Sequence, residues 1–178
     1  MLNKLIEEAE QELVYIDSVF DALSRAKEES EIVEIREELT ASGHSKAISK
    51  KKKPAPMTAP KEHVSSDGFK ILVGKNNRQN DMITFKLAEK SDIWCHVKSY
   101  PGSHVLIKTG GVAVPDTTLE EACILAATHS KAANLPLVPV DYTMIKFVKK
   151  PPGAKPGMVT YDSFKTAHVE PNMNELKK

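Results

Sequence analysis

The sequence predicts an α+β chain: a mostly antiparallel or mixed sheet with one or two packed helices, preceded by a helical coiled-coil segment. Three observations predict it. Apolar residues among the first forty positions recur at helical steps. A stretch of lysines and prolines without apolar periodicity then interrupts the chain. Beyond it, short β-rich runs bounded by Gly and Pro are joined by few long helices.

In the first segment, residues 1–42, Leu2, Ala9, Ile16 and Leu23 occupy one heptad core position, and Leu5 and Val19 the other. Glu12 breaks the pattern, and Leu13 beside it covers the gap. A second helix over about 30–39 carries Ile32, Val33, Ile35 and Leu39, with glutamates that read as solvated faces. A helix of three turns seldom stands alone in water. It is expected to pack on a partner helix, in this chain, in a second copy, or in a segment outside the sequence. Residues 43–63 read as a basic Pro/Lys-rich linker containing Lys50, Lys51, Lys52, Lys53, Pro54, Pro56 and Pro60. Its lysines suit either solubility or a non-specific phosphate contact.

Residues 64–171 form the predicted domain, and 172–178 a polar tail. Strands are expected at 69–73, 93–97, 104–108, 137–143, 144–148, 158–161 and 166–169. A short helix is expected at 77–87. A longer one at 117–133 opens on a Thr117/Glu120 capping box and presents one face of mostly small residues, Leu119, Ala122, Cys123, Ala126, Ser130 and Ala133.

The 178 residues are 40% hydrophobic with a mean hydropathy of −0.34, and no apolar run is long enough to span a bilayer. The opening MLNKLIEEAEQEL is acidic and periodic, unlike a signal peptide. A cytoplasmic location, with no membrane contact, is therefore expected. Cys95 and Cys123 sit in no CxxC pair, and a reducing compartment leaves them free. The net charge of +1 hides an asymmetry. Residues 1–40 hold 12 Asp+Glu against 4 Lys+Arg, a net of −8; residues 41–178 hold 21 Lys+Arg against 12 Asp+Glu, a net of +9. The basic part is the candidate for a polyanionic partner.

Three clusters in that part carry the functional reading. The first is Gly74-Lys75-Asn76-Asn77-Arg78-Gln79-Asn80-Asp81, directly after an apolar strand. Gly74 permits positive φ or close ligand approach. Asn76 or Asn77 can cap the next helix, with Lys75 and Arg78 beside a helix N-terminus that favours anions. Amides also read base edges. The bland reading is an Asn-rich cap with Asp81 in the first turn, and composition leaves both open. The second cluster is Asp92 to Val97 followed by Pro101-Gly102-Ser103-His104. Strand alternation puts Trp94 and His96 on one face, where they can stack on a base, or where Trp94 simply covers the sheet. Ser103 and His104 are candidate phosphate contacts. The third is Lys146, Lys149, Lys150 and Lys155 in KFVKKPPGAKPG. Its turns at Pro152-Gly153 and Pro156-Gly157 stiffen the loop into a candidate phosphate clamp.

Catalysis is not expected. HExxH, CxxC, Walker A, GxGxxG and GxSxG patterns are absent. Cys95 and His96 are adjacent in a strand and so face opposite ways. No metal and no cofactor are expected. A hydrolase would need Asp81, Asp92 and His96 to converge, and nothing in the sequence pairs them.

The three motifs together, in this order, closely resemble the NFACT-R (DUF814) RNA-binding domain of the fibronectin-binding protein, RqcH and NEMF family. The resemblance runs from about Asp67 to Pro171, and EIVEIREEL is similar to the returning arm of that family's coiled coil. It implies RNA binding within a factor that engages the large ribosomal subunit carrying a stalled peptidyl-tRNA and supports C-terminal alanine tailing. The implied partners are the large ribosomal subunit and tRNA. A fibronectin-binding adhesin is the alternative. Lys75, Asn76, Asn77, Arg78, Gln79, Asn80, Asp81, Trp94, His96, Ser103, His104, Lys149, Lys150 and Lys155 are the implied RNA contacts, and Gly74, Gly102, Pro156 and Gly157 the structural positions. Cys95 stands where the family pattern leads one to expect leucine. Members of the family carry an N-terminal domain and an outgoing coiled-coil arm, so an excised fragment or short form is expected.

Overall fold

The computed structural model describes residues 2–45 and 57–172. Helices α1 (Leu2–Arg25) and α2 (Glu29–Ala41) fold back on each other as an antiparallel hairpin. Their shared core is Tyr15, Val19 and Ala22 against Ile35, with Ile16, Ala26 and Leu39 at its margin. Val19 is buried as the heptad reading has it, while Tyr15 and Ala22 lie one position off Ile16 and Leu23. Leu2, Leu5 and Leu13 stay exposed, because α2 is 13 residues long and cannot cover the 24 of α1. A capping box starts α2: Glu31 accepts from the backbone N–H of Lys27 and of Glu28.

The domain continues with β1 (Lys61–Val64), β2 (Lys70–Val73) and α3 (Asn77–Met82), which runs into a π-helical turn over Ile83–Leu87. Next come β3 (Ile93–Val97), β4 (Val105–Ile107), α4 (Asp116–Thr128) and β5 (Val138–Met144). Short β6 (Val148–Lys149) and β7 (Thr160–Tyr161) pair as a small ribbon, and β8 (Lys165–Val169) closes the described chain. The main sheet has the order β1-β2-β4-β3-β5-β8, and every neighbouring pair is antiparallel. The fold is α+β.

On one face, α4 lays Ala122, Cys123, Ala126 and Ala127 against Ile71, Val73, Cys95, Val97, Val105 and Val140. Its small side chains let the helix approach the sheet closely. Leu72 and Leu106 on the opposite face pack against Ile83 of the π-turn.

Three expectations change. The sheet begins at Lys61, inside the stretch read as linker, because KEHV is too short and charged to show a period; pairing with β2 makes it a strand. The long helix starts at Asp116 behind Pro115 and has no side-chain cap bond, so there is no Thr117 box. Thr117 already lies inside the helix, where it cannot cap, and the neighbouring Thr118 hydroxyl instead donates to Asp67 and accepts from the Ser65 hydroxyl. The strand expected over 144–148 is broken by a 3-10 turn at Ile145–Phe147. The lysine run at 50–53, Pro54 and Pro56 lie outside the described residues. Cys95 and Cys123 are both buried and free.

Candidate nucleic-acid interface

Gly74 leaves β2 in ordinary backbone conformation, so positive φ does not explain it. A Cβ there would sit 2.2 Å from the Asn80 side-chain oxygen. The required close approach is to Asn80 of α3, not to a ligand. Asn76 is the N-cap of α3 and accepts from the Gln79 N–H at 2.9 Å. Asn80 ties α3 to β4: its oxygen accepts from the His104 N–H at 3.0 Å. Ser103 Oγ donates to the Gly74 carbonyl at 2.5 Å, joining the segment before β4 to the exit from β2.

The remaining amides of the signature point at the hairpin. Asn76 Nδ2 and Gln79 Nε2 donate to one oxygen of Glu34, at 2.7 and 3.0 Å, and the Thr58 N–H donates to the other. Asn77 Nδ2 donates to Glu38 at 3.0 Å and to Ser18 Oγ at 2.8 Å. Arg78 pairs with Glu37 at 3.1 Å and Lys75 with Glu31 at 3.5 Å. Glu31, Glu34 and Glu38 thus form a row of carboxylates on one face of α2, and the signature grips it. Burial raises the Glu34 carboxyl, but the bonds from Thr58, Asn76 and Gln79 outweigh it and leave its pKa lowered. Burial prevails at Glu38, whose pKa is raised despite Asn77.

These contacts correct the reading of Asn76, Asn77, Gln79 and Asn80 as exposed base readers: all four are buried, because their amides satisfy carboxylates and backbone of the same chain. The glutamates of α2 are likewise not simply solvated. Docking buries Glu31, Glu34 and Glu38.

Trp94 and His96 do share a face, their rings nearly parallel at 5.7 Å. Yet Trp94 is 0% exposed, covered by His104 at 5.1 Å and Tyr161 at 4.8 Å, so it offers no face to a base. Burial holds the His96 imidazole down to about 4 and lowers His104 as well, so both rings are neutral. His104 and Ser103 are buried, with His104 Nδ1 on Thr84 Oγ1 at 2.8 Å; neither reaches solvent as a phosphate contact.

The lysine loop divides. Lys150 turns inward to Asp81 at 2.5 Å and to the Lys155 carbonyl at 2.9 Å. Asp81 also accepts from the Gly157 N–H at 2.9 Å. Lys155 reaches Glu12 at 3.3 Å and lies over the Tyr15 ring. A Cβ on Gly157 (φ +78°) would meet the Asn77 oxygen at 2.6 Å, so Pro156-Gly157 is the point where the loop lies on the signature. Lys149 alone of the three faces outward, its side chain 72% exposed. Gly102 lies so close to Ser130 and Val97 that a Cβ would come within 3 Å of each.

Residues 60–163 match the family of the NFACT protein RNA binding domain. The chain belongs to this family. It is similar to the Rqc2 homolog RqcH of Bacillus subtilis (strain 168), 44% identical over 182 residues, which span 100% of this chain and 31% of that protein. The Rqc2 homolog RqcH of Streptococcus suis (strain 05ZYH33) is 43% identical over 99% of this chain and 32% of its own length. This chain therefore spans about a third of these curated relatives. The solved C-terminal part of the fibronectin/fibrinogen-binding protein from Streptococcus suis superposes with a TM-score of 0.92 at 43% identity, covering 99% of this chain and 70% of that one.

In this NFACT domain, the structure brings into contact the signature, the GSH segment and the lysine loop, which in the sequence are only three motifs in order. Sequence reasoning missed their common contact, the carboxylate row of α2; the spacing of Glu31, Glu34 and Glu38 on one helix face was the available signal. It also missed an exposed basic and aromatic end of the sheet. Lys98 lies 5.2 Å from the Phe164 ring centroid, Phe164 packs edge-on to Tyr161, and Lys149 sits near Asp162 of the same turn. Asp81, Asp92 and His96 are not drawn together: Asp81 is held by Lys150 and Gly157, Asp92 by Lys108 and Thr109, and His96 by the aromatic stack. No described helix is long and apolar enough to cross a membrane.

Proposed function

We propose that this chain is the RNA-binding module of a cytoplasmic ribosome-associated quality-control factor. Its partners are the large ribosomal subunit carrying a stalled peptidyl-tRNA and tRNA itself, and in the whole factor it supports C-terminal alanine tailing. The match to the NFACT RNA-binding family over 60–163 carries this reading, and the names of the RqcH relatives supply the ribosomal setting. On this reading the RNA lies on the end formed by Lys98, Lys149 and Phe164. Lysines there neutralise phosphates, and the exposed ring of Phe164 offers a stacking face. The signature acts indirectly, by fixing the lysine loop through Asp81 and the hairpin through Glu34 and Glu38. The module positions RNA and performs no chemical step.

The test is tRNA binding by fluorescence anisotropy over a range of salt. The chain binds with a steep salt dependence, and Lys98→Ala/Lys149→Ala lowers the slope of log K against log salt by about 2. Binding no stronger than that of an acidic control protein would defeat the proposal. The solved relative's title favours one other reading, a fibronectin-binding domain. Fibronectin binding by a chain that fails to bind tRNA would put it first.

A further inference from the structure

The hairpin is acidic almost throughout, but its sign reverses at the α1–α2 turn. Two of the four basic residues among positions 1–40, Arg25 and Lys27, sit there. That turn closes one side of a cavity of about 320 Å³ whose other walls are the edge strand β1, the Gly74-Lys75 exit from β2 and the end of α4. Lys61 and Lys75 enter it from the domain, so four cations line the cavity together with a single carboxylate, Glu31.

That carboxylate is already committed. Glu31 accepts the backbone N–H groups of Lys27 and Glu28 at 2.8 and 3.3 Å and lies 3.5 Å from Lys75. Arg25 is fixed rather than free: Nε and Nη2 lie on Asp21 at 3.0 and 2.7 Å, and Nη1 on Ser103 Oγ at 3.1 Å. Lys27 and Lys61 form no ion pair among the described residues. Instead Lys61 Nζ lies 3.4 Å from His129 Nε2. His129 Nδ1 faces the Leu125 carbonyl at 3.0 Å, which assigns the proton to Nδ1 and leaves Nε2 as an acceptor for the ammonium.

Burial lowers Lys61, and Lys27, Arg25 and Lys75 lower it further against the opposing pull of Glu31. Burial, then Lys61, holds His129 down to about 4, so its ring adds no charge of its own. With Arg25 paired to Asp21 and Lys75 to Glu31, the charges of Lys27 and Lys61 are the ones left without a carboxylate partner around this partly enclosed space.

We propose that this cavity is a phosphate-binding site, in which Lys27 and Lys61 take the anion's oxygens and Arg25 and Lys75, each already paired, complete the lining. A phosphate fits better than a carboxylate. The cations approach from three separate elements, and a tetrahedral, doubly charged group can meet donors from several directions. The anion comes either from an RNA backbone or from free phosphate. The RNA source rests on the function proposed above; the anion site does not.

The experiment follows thermal unfolding of the whole chain in inorganic phosphate and in chloride at matched ionic strength. Saturating phosphate raises Tm by about 2–4 °C over chloride, and the His129 ring resonances move with it. Lys27→Gln/Lys61→Gln abolishes both effects, and its Tm in chloride equals or exceeds that of the parent because repulsion is relieved. Lys27→Gln alone, at an exposed position, serves if the double variant does not fold. A second arm measures a single-stranded RNA. A fall of about 0.7 in the salt slope of the variant assigns the anion to RNA, and an unchanged slope assigns it to free phosphate. Phosphate protection no greater than chloride's, or retained in the variant, overturns the site. Phosphate protection without any RNA binding leaves the site standing and removes the RNA-binding function instead.

Discussion

The seam between hairpin and domain has two ends built from opposite charge logic. Along α2, Glu34 and Glu38 meet amides, hydroxyl and backbone donors, so each buried carboxylate is matched by the domain. At the α1–α2 turn, a few residues away, Lys27 and Lys61 face a cavity with Glu31 as the sole acid in its lining. Neutral donors solvate a buried carboxylate without a second full charge, whereas gathered cations stay costly until an anion arrives. One end of the seam therefore holds the two parts together, and the other is poised for a ligand.

Breaking the first end gives the largest effect. Glu34→Ala takes the acceptor from Asn76, from the Thr58 N–H and from one hydrogen of the Gln79 amide, whose other still meets Thr58, and the chain loses about 3 kcal/mol of stability in urea unfolding. Equal midpoints for parent and variant would show that the seam contributes nothing. Gly157→Ala comes next. It asks alanine to adopt φ +78° against Asn77 and costs about 2 kcal/mol. It also frees the lysine loop, seen as faster amide exchange at Gly157. A rigid loop with normal exchange would contradict the account.

Acid separates the domain from the seam. His96 and His129 have folded values of about 4 against an ordinary 6.5, and His104 is lowered too. A depressed histidine contributes stability that is present above pH 6.5 and lost as pH falls toward 4. Glu34, also depressed, contributes only above its ordinary 4.5 and loses that contribution below it. Stability of the parent thus falls first between pH 6.5 and 4.5 through the histidines, and Glu34→Gln flattens only the part below about 4.5. A variant that alters the upper range would refute this order. The smallest effect sharpens the other end: Lys61→Gln in chloride shifts the unfolding midpoint upward by no more than about 1 kcal/mol equivalent, and a clear loss would mean that Lys61 braces β1 instead.

Much of this was legible in the sequence, for reasons visible in particular residues. Strands such as Ile93–Val97 declare themselves by alternation, and Asn76 is positioned as a cap by the apolar strand before it. β1 was not legible, because KEHV owes its conformation to β2. Nor was the burial of the signature. An amide has the same sequence whether it faces a base or a glutamate, and Glu34 the same whether it faces water or an amide. Lys98 and Phe164 are distant in sequence and meet only because the chain turns back after β7.

The central claim is that the signature holds the hairpin while the outward lysine end holds RNA. Parallel measurement of tRNA affinity and unfolding midpoint for Gln79→Leu and for Lys98→Ala/Lys149→Ala tests it most directly. The account predicts a lower midpoint with parental affinity for Gln79→Leu, measured where it is folded, and, for the lysine pair, a midpoint lowered only by loss of the Lys98–Asp141 ion pair, with weakened, less salt-sensitive binding. The reverse pattern, with affinity lost at Gln79 and kept without Lys98 and Lys149, would contradict it.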